Sequence, residues 1–141
     1  MDYATLDDLI ERAGQDEILM VADRDGDGVA DPDVVAKAIA DAASAIDGYL
    51  AVRYRLPLAV VPSQVNGWAV SIARYHLHRD GAPDHVVRDW KAANADLEKV
   101  SSGRIRLPLP SGDDPASSKS GDVGITGPEP AFSKDRLEGW L

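Results

Sequence analysis

Four aspartates and two glycines lie close together between residues 23 and 31. Asp23, Asp25 and Asp27 stand at alternate positions, and Gly28 follows them. Calcium in proteins takes about six to eight oxygen ligands, and alternating carboxylates followed by glycine are typical of an EF-hand loop, in which a backbone carbonyl comes next. The pattern therefore predicts a calcium site made from Asp23, Asp25, Asp27, Val29 and Asp31.

The same loop has a second interpretation. An EF-hand loop ends in a glutamate that binds the ion through both carboxylate oxygens, whereas Val34 occupies that position here. Asp31 precedes Pro32, which is the arrangement of a helix N-cap followed by proline at the first helical position. A calcium site and an acidic turn that caps the next helix both remain open from the residues alone.

Residue patterns of enzymes are missing from the sequence. His76 and His78 are two residues apart on a predicted helix and therefore lie on different faces, and His85 is isolated. The serines lie outside a nucleophile-elbow pattern, and no glycine-rich stretch has the spacing and lysine of a phosphate-binding loop. We therefore expect a protein that is not an enzyme.

The charge of the chain is distributed unevenly. The 141 residues carry a net charge of −9 and no cysteine, which excludes disulfide and thiolate chemistry. Residues 1–50 hold 13 acidic and 3 basic side chains, whereas residues 51–110 hold 5 acidic and 9 basic ones. An acidic surface of one subunit could meet a basic surface of the next. No apolar run approaches the length of a membrane span, so we expect a soluble protein used inside a cell or in a particle assembled there.

Apolar residues at helical spacing predict an all-α fold, a small helical bundle around one long central helix. The long helix starts at Pro32 and should end near residues 53–55, because Pro57 disfavours helix before it. Short helices are expected after Thr5, which begins a capping box, and after Asp16. Further helices are expected from about residues 63 and 84, so that the helical domain covers residues 1–103.

Residues 104–141 are predicted to form an extended C-terminal arm. Residues 104–109 alternate apolar and non-apolar side chains, as in a half-buried edge strand. Residues 110–131 are rich in Pro, Gly, Ser and Asp and cannot form a core. Bulky apolar residues return at the end, as expected for an anchor that docks on a partner. The predicted anchor residues are Phe132, Leu137, Trp140 and Leu141.

Several segments resemble the Mu-like phage and prophage protein family. They are Tyr3–Ile10, the loop Asp23–Asp31, the segment Ala45–Leu58 with its Asp-Gly-Tyr-Leu and Leu-Pro-Leu strings, and Ile72–Tyr75. The resemblance covers roughly residues 2–107. It implies a head–tail connector, or adaptor, whose small helical subunits form a twelvefold ring under the portal protein.

The resemblance also implies partners and a location. The ring would extend the DNA channel without sequence-specific binding, contact the next neck or tail protein, and belong to the virion neck after assembly in the bacterial cytoplasm. The C-terminal segment of related adaptors clasps the portal, so the resemblance implies that residues 104–141 make this contact. It adds five residues to the predicted partner-binding set: Arg104, Ile105, Arg106, Leu107 and Leu109. Side-by-side packing of subunits would use basic residues within residues 51–110. The candidates are Arg53, Arg55 and Arg74. The alternatives are a calcium-binding interaction module and another neck role such as tail completion.

Overall fold

The computed structural model describes residues 1–109, which form five α-helices and contain no β-strand. The prediction of an all-α fold is confirmed for this part of the chain. None of its helices is long and apolar enough to cross a membrane. The helices are α1 (Leu6–Ala13), α2 (Gln15–Ala22), α3 (Pro32–Leu50), α4 (Ser63–Leu77) and α5 (Asp84–Ser101).

Helices α3 and α4 together form the centre of the bundle. As the spacing predicts, α3 is the longest helix, and it buries one continuous apolar stripe. Helix α4 packs against α1, α3 and α5, so it shares the central position with α3. Alanines in both helices leave room for close approach of the backbones. The buried α3 stripe consists of Val35, Ile39, Ala42, Ile46 and Leu50.

The first two helices are joined through Gly14. The predicted capping box is present, since the Asp8 N–H donates to Thr5 Oγ1 at 3.2 Å and the Thr5 N–H donates to Asp8 Oδ2 at 3.0 Å. Gly14, at φ 92°, ends α1 and also occupies the N-cap position of α2. The prediction that Asp16 caps the second helix is wrong, because α2 begins one residue earlier and places Asp16 in its first turn.

Helix α3 ends at Leu50, three to five residues before the predicted end. The Leu50 carbonyl accepts the N–H groups of both Arg53 and Tyr54, at 3.0 and 2.8 Å, and this turns the chain out of the helix. The Tyr54 ring is buried, with 4% of its surface exposed. Packing of this turn against the end of α5 therefore stops the helix before Pro57 can act.

Residues 104–109 do not form the predicted strand. No neighbouring strand exists in residues 1–109 to pair with them. The apolar residues of this alternating pattern pack against the helical core instead. Leu107 is buried, and Ile105 and Leu109 are partly buried against the same core. The Leu107 N–H donates to the Tyr54 hydroxyl at 3.0 Å. The helical domain therefore extends in its packing beyond residue 103.

Gly103 occupies a position where a side chain is strained and would displace the Arg53 guanidinium. Its φ is +85°, and an added Cβ would lie 2.8 Å from Cζ of Arg53. We expect Gly103→Ala to lower the free energy of unfolding by about 1–2 kcal/mol, because an L side chain is strained at this φ. Urea unfolding followed by tryptophan fluorescence measures the change.

Gly48 provides the matched control. It lies within α3, and a Cβ added there meets nothing within 4 Å. Gly48→Ala should raise the free energy of unfolding by about 0.5–1 kcal/mol, since glycine is unfavourable inside a helix. Equal effects of the two substitutions would contradict the account of Gly103.

Candidate functional site

The loop between α2 and α3 is closed by hydrogen bonds from its backbone to its own carboxylates. Asp23 accepts the N–H groups of Gly26 at 2.9 Å, Asp27 at 3.1 Å and Gly28 at 2.8 Å. Asp27 accepts the N–H of Val29 at 3.0 Å. Four carboxylates converge as a result, with one oxygen of each within 4.8 Å of the others: Asp23, Asp25, Asp27 and Asp31.

Asp31 holds the loop closed but does not cap α3 with its side chain. It occupies the N-cap position, with Pro32 at the start of the helix as predicted. The expected side-chain cap is absent, because Asp31 Oδ2 instead accepts the Arg24 N–H at 3.0 Å. The Asp31 N–H donates to the carbonyl of Ala22 at 2.9 Å. The residue thus ties the two ends of the loop together.

The crowded carboxylates of the loop differ in proton affinity. Desolvation opposes ionisation of Asp23, but hydrogen bonds from the Gly28 N–H and from other groups of the loop outweigh it and lower the pKa of Asp23. At Asp25 the Asp27 N–H favours the charged form, yet the carboxylates of Asp23 and Asp27 prevail and raise the pKa of Asp25. A bound cation would relieve this repulsion.

The donor set fits calcium only in part. The four convergent carboxylates are hard oxygen ligands, and the Val29 carbonyl would follow them in the order of an EF-hand loop. These groups supply five ligand atoms if each gives one, fewer than the usual range, and Val34 replaces the bidentate glutamate. Water would have to complete the shell, which is the composition of a weak structural site.

Arg53 lies at the opposite end of α3, where it joins the chain to α5. Its Nε donates to the Ser101 carbonyl at 3.1 Å and its Nη2 to the Ser102 carbonyl at 3.2 Å. These bonds satisfy carbonyls at the C-terminus of α5, where a cation is also favoured by the helix dipole. The structure therefore gives this predicted interface residue a role within the subunit, whereas Arg55 is exposed.

The predicted partner-binding residues fall into three groups. Leu107 belongs to the subunit's own core, so its side chain is not on the surface of the free subunit. Arg104 and Arg106 are exposed, and Ile105 and Leu109 are half-buried. Four further residues lie outside the described part of the chain: Phe132, Leu137, Trp140 and Leu141.

Comparison with known proteins identifies the family. Residues 3–125 match the family model described as Bacteriophage Mu, Gp36. The chain belongs to the Gp36 family. It is similar to the Mu-like prophage FluMu protein gp36 of Haemophilus influenzae, with 40% identity over 87 residues that make up 62% of each chain. It is also similar to gene product J of Escherichia phage Mu, with 33% identity over 105 residues, or 74% of each chain.

The match confirms the resemblance to Mu-like phage proteins that the sequence suggested. It also extends to residue 125, past both the described residues and the segments that carry the resemblance. The Gp36 family region therefore includes the helical domain and part of the sequence that follows it.

In this Gp36 family chain, Arg74 is buried rather than available to a neighbouring subunit. Its Nε and Nη2 donate to the two carboxylate oxygens of Glu17 at 2.6 and 2.8 Å, joining α4 to α2. Its side chain is 8% exposed. Hydrogen bonding to Arg74 lowers the pKa of Glu17, and the same bond raises the pKa of Arg74. Charge alone could not reveal this pairing, because the two residues are 57 positions apart.

Two histidines border this ion pair. His78 Nδ1 lies 2.9 Å from the carbonyl oxygen of Arg74, so it must carry the hydrogen of that bond. Its Nε2 has no hydrogen-bond partner among residues 1–109 and lies 3.8 Å from Glu17 Oε2. His85 Nε2 lies 3.4 Å from Arg74 Nη2. The cluster therefore joins α2, α4 and α5.

We expect Glu17→Gln to lower the free energy of unfolding by about 2 kcal/mol at neutral pH, because the Arg74 charge then stays buried without a counter-charge. Urea unfolding provides the measurement. Lys37→Ala is the control: its pair with Asp41 is exposed, with side-chain exposures of 76% and 46%, and its loss should cost under about 0.5 kcal/mol.

The cost of Glu17→Gln should also depend on pH. The pKa of Glu17 is lowered in the folded protein, so its ionised form stabilises the fold above the unfolded-state pKa of about 4.3. That contribution disappears as the pH falls through the folded-state pKa. The difference between wild type and variant should therefore shrink below about pH 4. A constant difference down to acid denaturation would contradict this role of the ion pair.

Proposed function

We propose that this Gp36 family chain is a structural, non-catalytic subunit of a phage head–tail connector. In this proposal several copies form a ring under the portal protein, continue the DNA channel, and present a surface to the next neck or tail protein. The ring belongs to the neck of the virion and is assembled in the host cytoplasm. Membership of a bacteriophage Mu family supports the phage context.

The observation that carries this proposal is the way the chain leaves the helical domain. Leu107 is buried and its N–H is bonded to the Tyr54 hydroxyl. The following residues therefore start from a fixed point on a helical domain rather than from a frayed helix end. A fixed domain followed by a sequence with a terminal apolar cluster suits a subunit that sits in a ring and reaches a partner.

The charge of the whole chain supports the channel role. A net charge of −9 gives the protein little affinity for phosphate groups. DNA can pass such a wall without being held, whereas a basic wall would bind it. Arg55 and Arg104, exposed arginines of residues 51–110, serve protein contacts in this arrangement.

The portal protein encoded by the same genome tests the proposal. We expect immobilised portal to retain the full-length chain and to lose it when the chain ends at Pro110, because the terminal apolar residues make the contact. Circular dichroism should show that the shorter form is still folded and helical, since the described core lies within residues 1–109.

A full-length variant separates loss of contact from loss of folding. Replacing Phe132 and Trp140 by serine should weaken retention as the truncation does, while Lys37→Ser, at an exposed position of α3, should leave portal retention unchanged. Equal retention of all forms would move the contact to the helices. Failure of the portal to retain any form, with retention by a tail protein instead, would favour a tail-completion role.

The second candidate is a calcium-binding interaction module, favoured by the convergence of four carboxylates within 4.8 Å. It predicts that calcium raises the melting temperature and changes tryptophan fluorescence in the wild type but not in a variant with Asp25 and Asp27 replaced by asparagine. The connector proposal predicts the same portal retention with calcium and with a chelator. Retention that requires calcium would favour the module.

A further inference from the structure

Exposed apolar side chains gather at the two ends of α3. In residues 1–109, five large hydrophobic residues are strongly exposed, and four of them lie in the connections and helix that flank α3. Met20 and Val29, 72% and 61% exposed, lie before its N-terminus. Val52 and Val60, 66% and 56% exposed, lie after its C-terminus. Since α3 has 19 residues, its ends are about 28 Å apart.

The first end, which we call the acidic end, consists of Met20 and the loop 23–31. Met20 and Asp23 line one cleft, and the Ala22 carbonyl accepts the Asp31 N–H, so helix and loop form one surface. Asp25 and Asp27 are exposed there beside Val29. The one cation of the loop, Arg24, is turned toward the carbonyls of Val21 and Leu77.

The second end, which we call the basic end, consists of residues 51–61 and the exposed arginines beside them. Arg53, Tyr54 and Leu58 hold the connection in place, through the bonds of Arg53 to α5 and the burial of the other two. Val52 and Val60 are exposed on this fixed connection. Arg55 is exposed on it, and Arg104 and Arg106 are exposed on the segment that Tyr54 fastens to it.

We propose that the basic end of one copy binds the acidic end of the next copy; this inference rests on the proposed ring. Each end combines exposed apolar side chains with an excess of charge of one sign: the acidic end has four aspartates beside Arg24 and Arg79, and the basic end has three exposed arginines beside Glu98. The excess charges are opposite, so the two surfaces are complementary. Neither end can pair with itself, because like charges would face each other. The contact is therefore head-to-tail, the type that closes into a ring when successive rotations add to a full turn.

Cysteine cross-linking tests this contact directly, because the chain contains no cysteine of its own. Full-length Met20→Cys and full-length Val60→Cys are prepared separately, mixed, and treated with a short bismaleimide. We expect dimers with one copy of each variant, while each variant alone stays largely monomeric. A chain carrying both substitutions should give a ladder of higher oligomers.

Charge reversal and a displaced cysteine are the controls. Adding Arg55→Glu to Val60→Cys should reduce the yield of mixed dimers by about tenfold, since it places like charges together. Adding Lys37→Glu, in the second turn of α3, should not reduce this yield. Replacing Met20→Cys by Ser44→Cys, on the exposed side of α3, should abolish the mixed product.

Two results would overturn the inference. One is a mixture of Met20→Cys and Val60→Cys that yields no dimer, and the other is a single variant that yields homodimers as readily as the mixture yields mixed dimers. If either result is found and the portal still retains the full-length chain, the proposed contact between the two ends is wrong and the connector proposal is unaffected. A ladder without portal retention would support the contact and count against the connector.

Discussion

The bonds of Arg53 to the end of α5 and of the Tyr54 hydroxyl to the Leu107 N–H determine how this domain presents its surfaces. They end α3 at Leu50, fasten the connection to α4, and hold residues 104–109 on the helices. Glycine is favoured at position 103 beside them because φ is +85° there and because a side chain would displace the Arg53 guanidinium. Without these contacts the exposed residues around Val52 and the start of the C-terminal segment would have no fixed relation to the bundle.

A second constraint is electrostatic. The chain is strongly acidic, yet it buries Arg74 against Glu17 and uses Arg53 to satisfy carbonyls of α5. Arg74 and Arg53, which the charge distribution of the sequence would assign to a partner, therefore form their bonds within the subunit. The exposed cations that remain near the end of α3 lie far from the acidic loop. This separation, rather than net charge, is the basis for proposing a head-to-tail contact.

Local sequence signals predicted much of the domain. Helical spacing gave the all-α fold and the buried stripe of α3, and the capping box placed the start of α1. The features that local sequence patterns did not predict are the packing of residues 104–109 and the pairing of Arg74. Both depend on residues distant in sequence: the bond between Tyr54 and Leu107 spans 53 positions, and that between Arg74 and Glu17 spans 57. Side-chain charge indicates that an arginine can pair, but only the packed fold shows with which residue.

The central claim is that many copies of this chain assemble on one portal. The most direct measurement is native mass spectrometry of the portal complex purified with the full-length chain. The account predicts a complex that contains a complete ring of copies, which in the arrangement implied by the family resemblance means twelve. A complex with a single copy per portal assembly, or a portal without any copy bound, would contradict it.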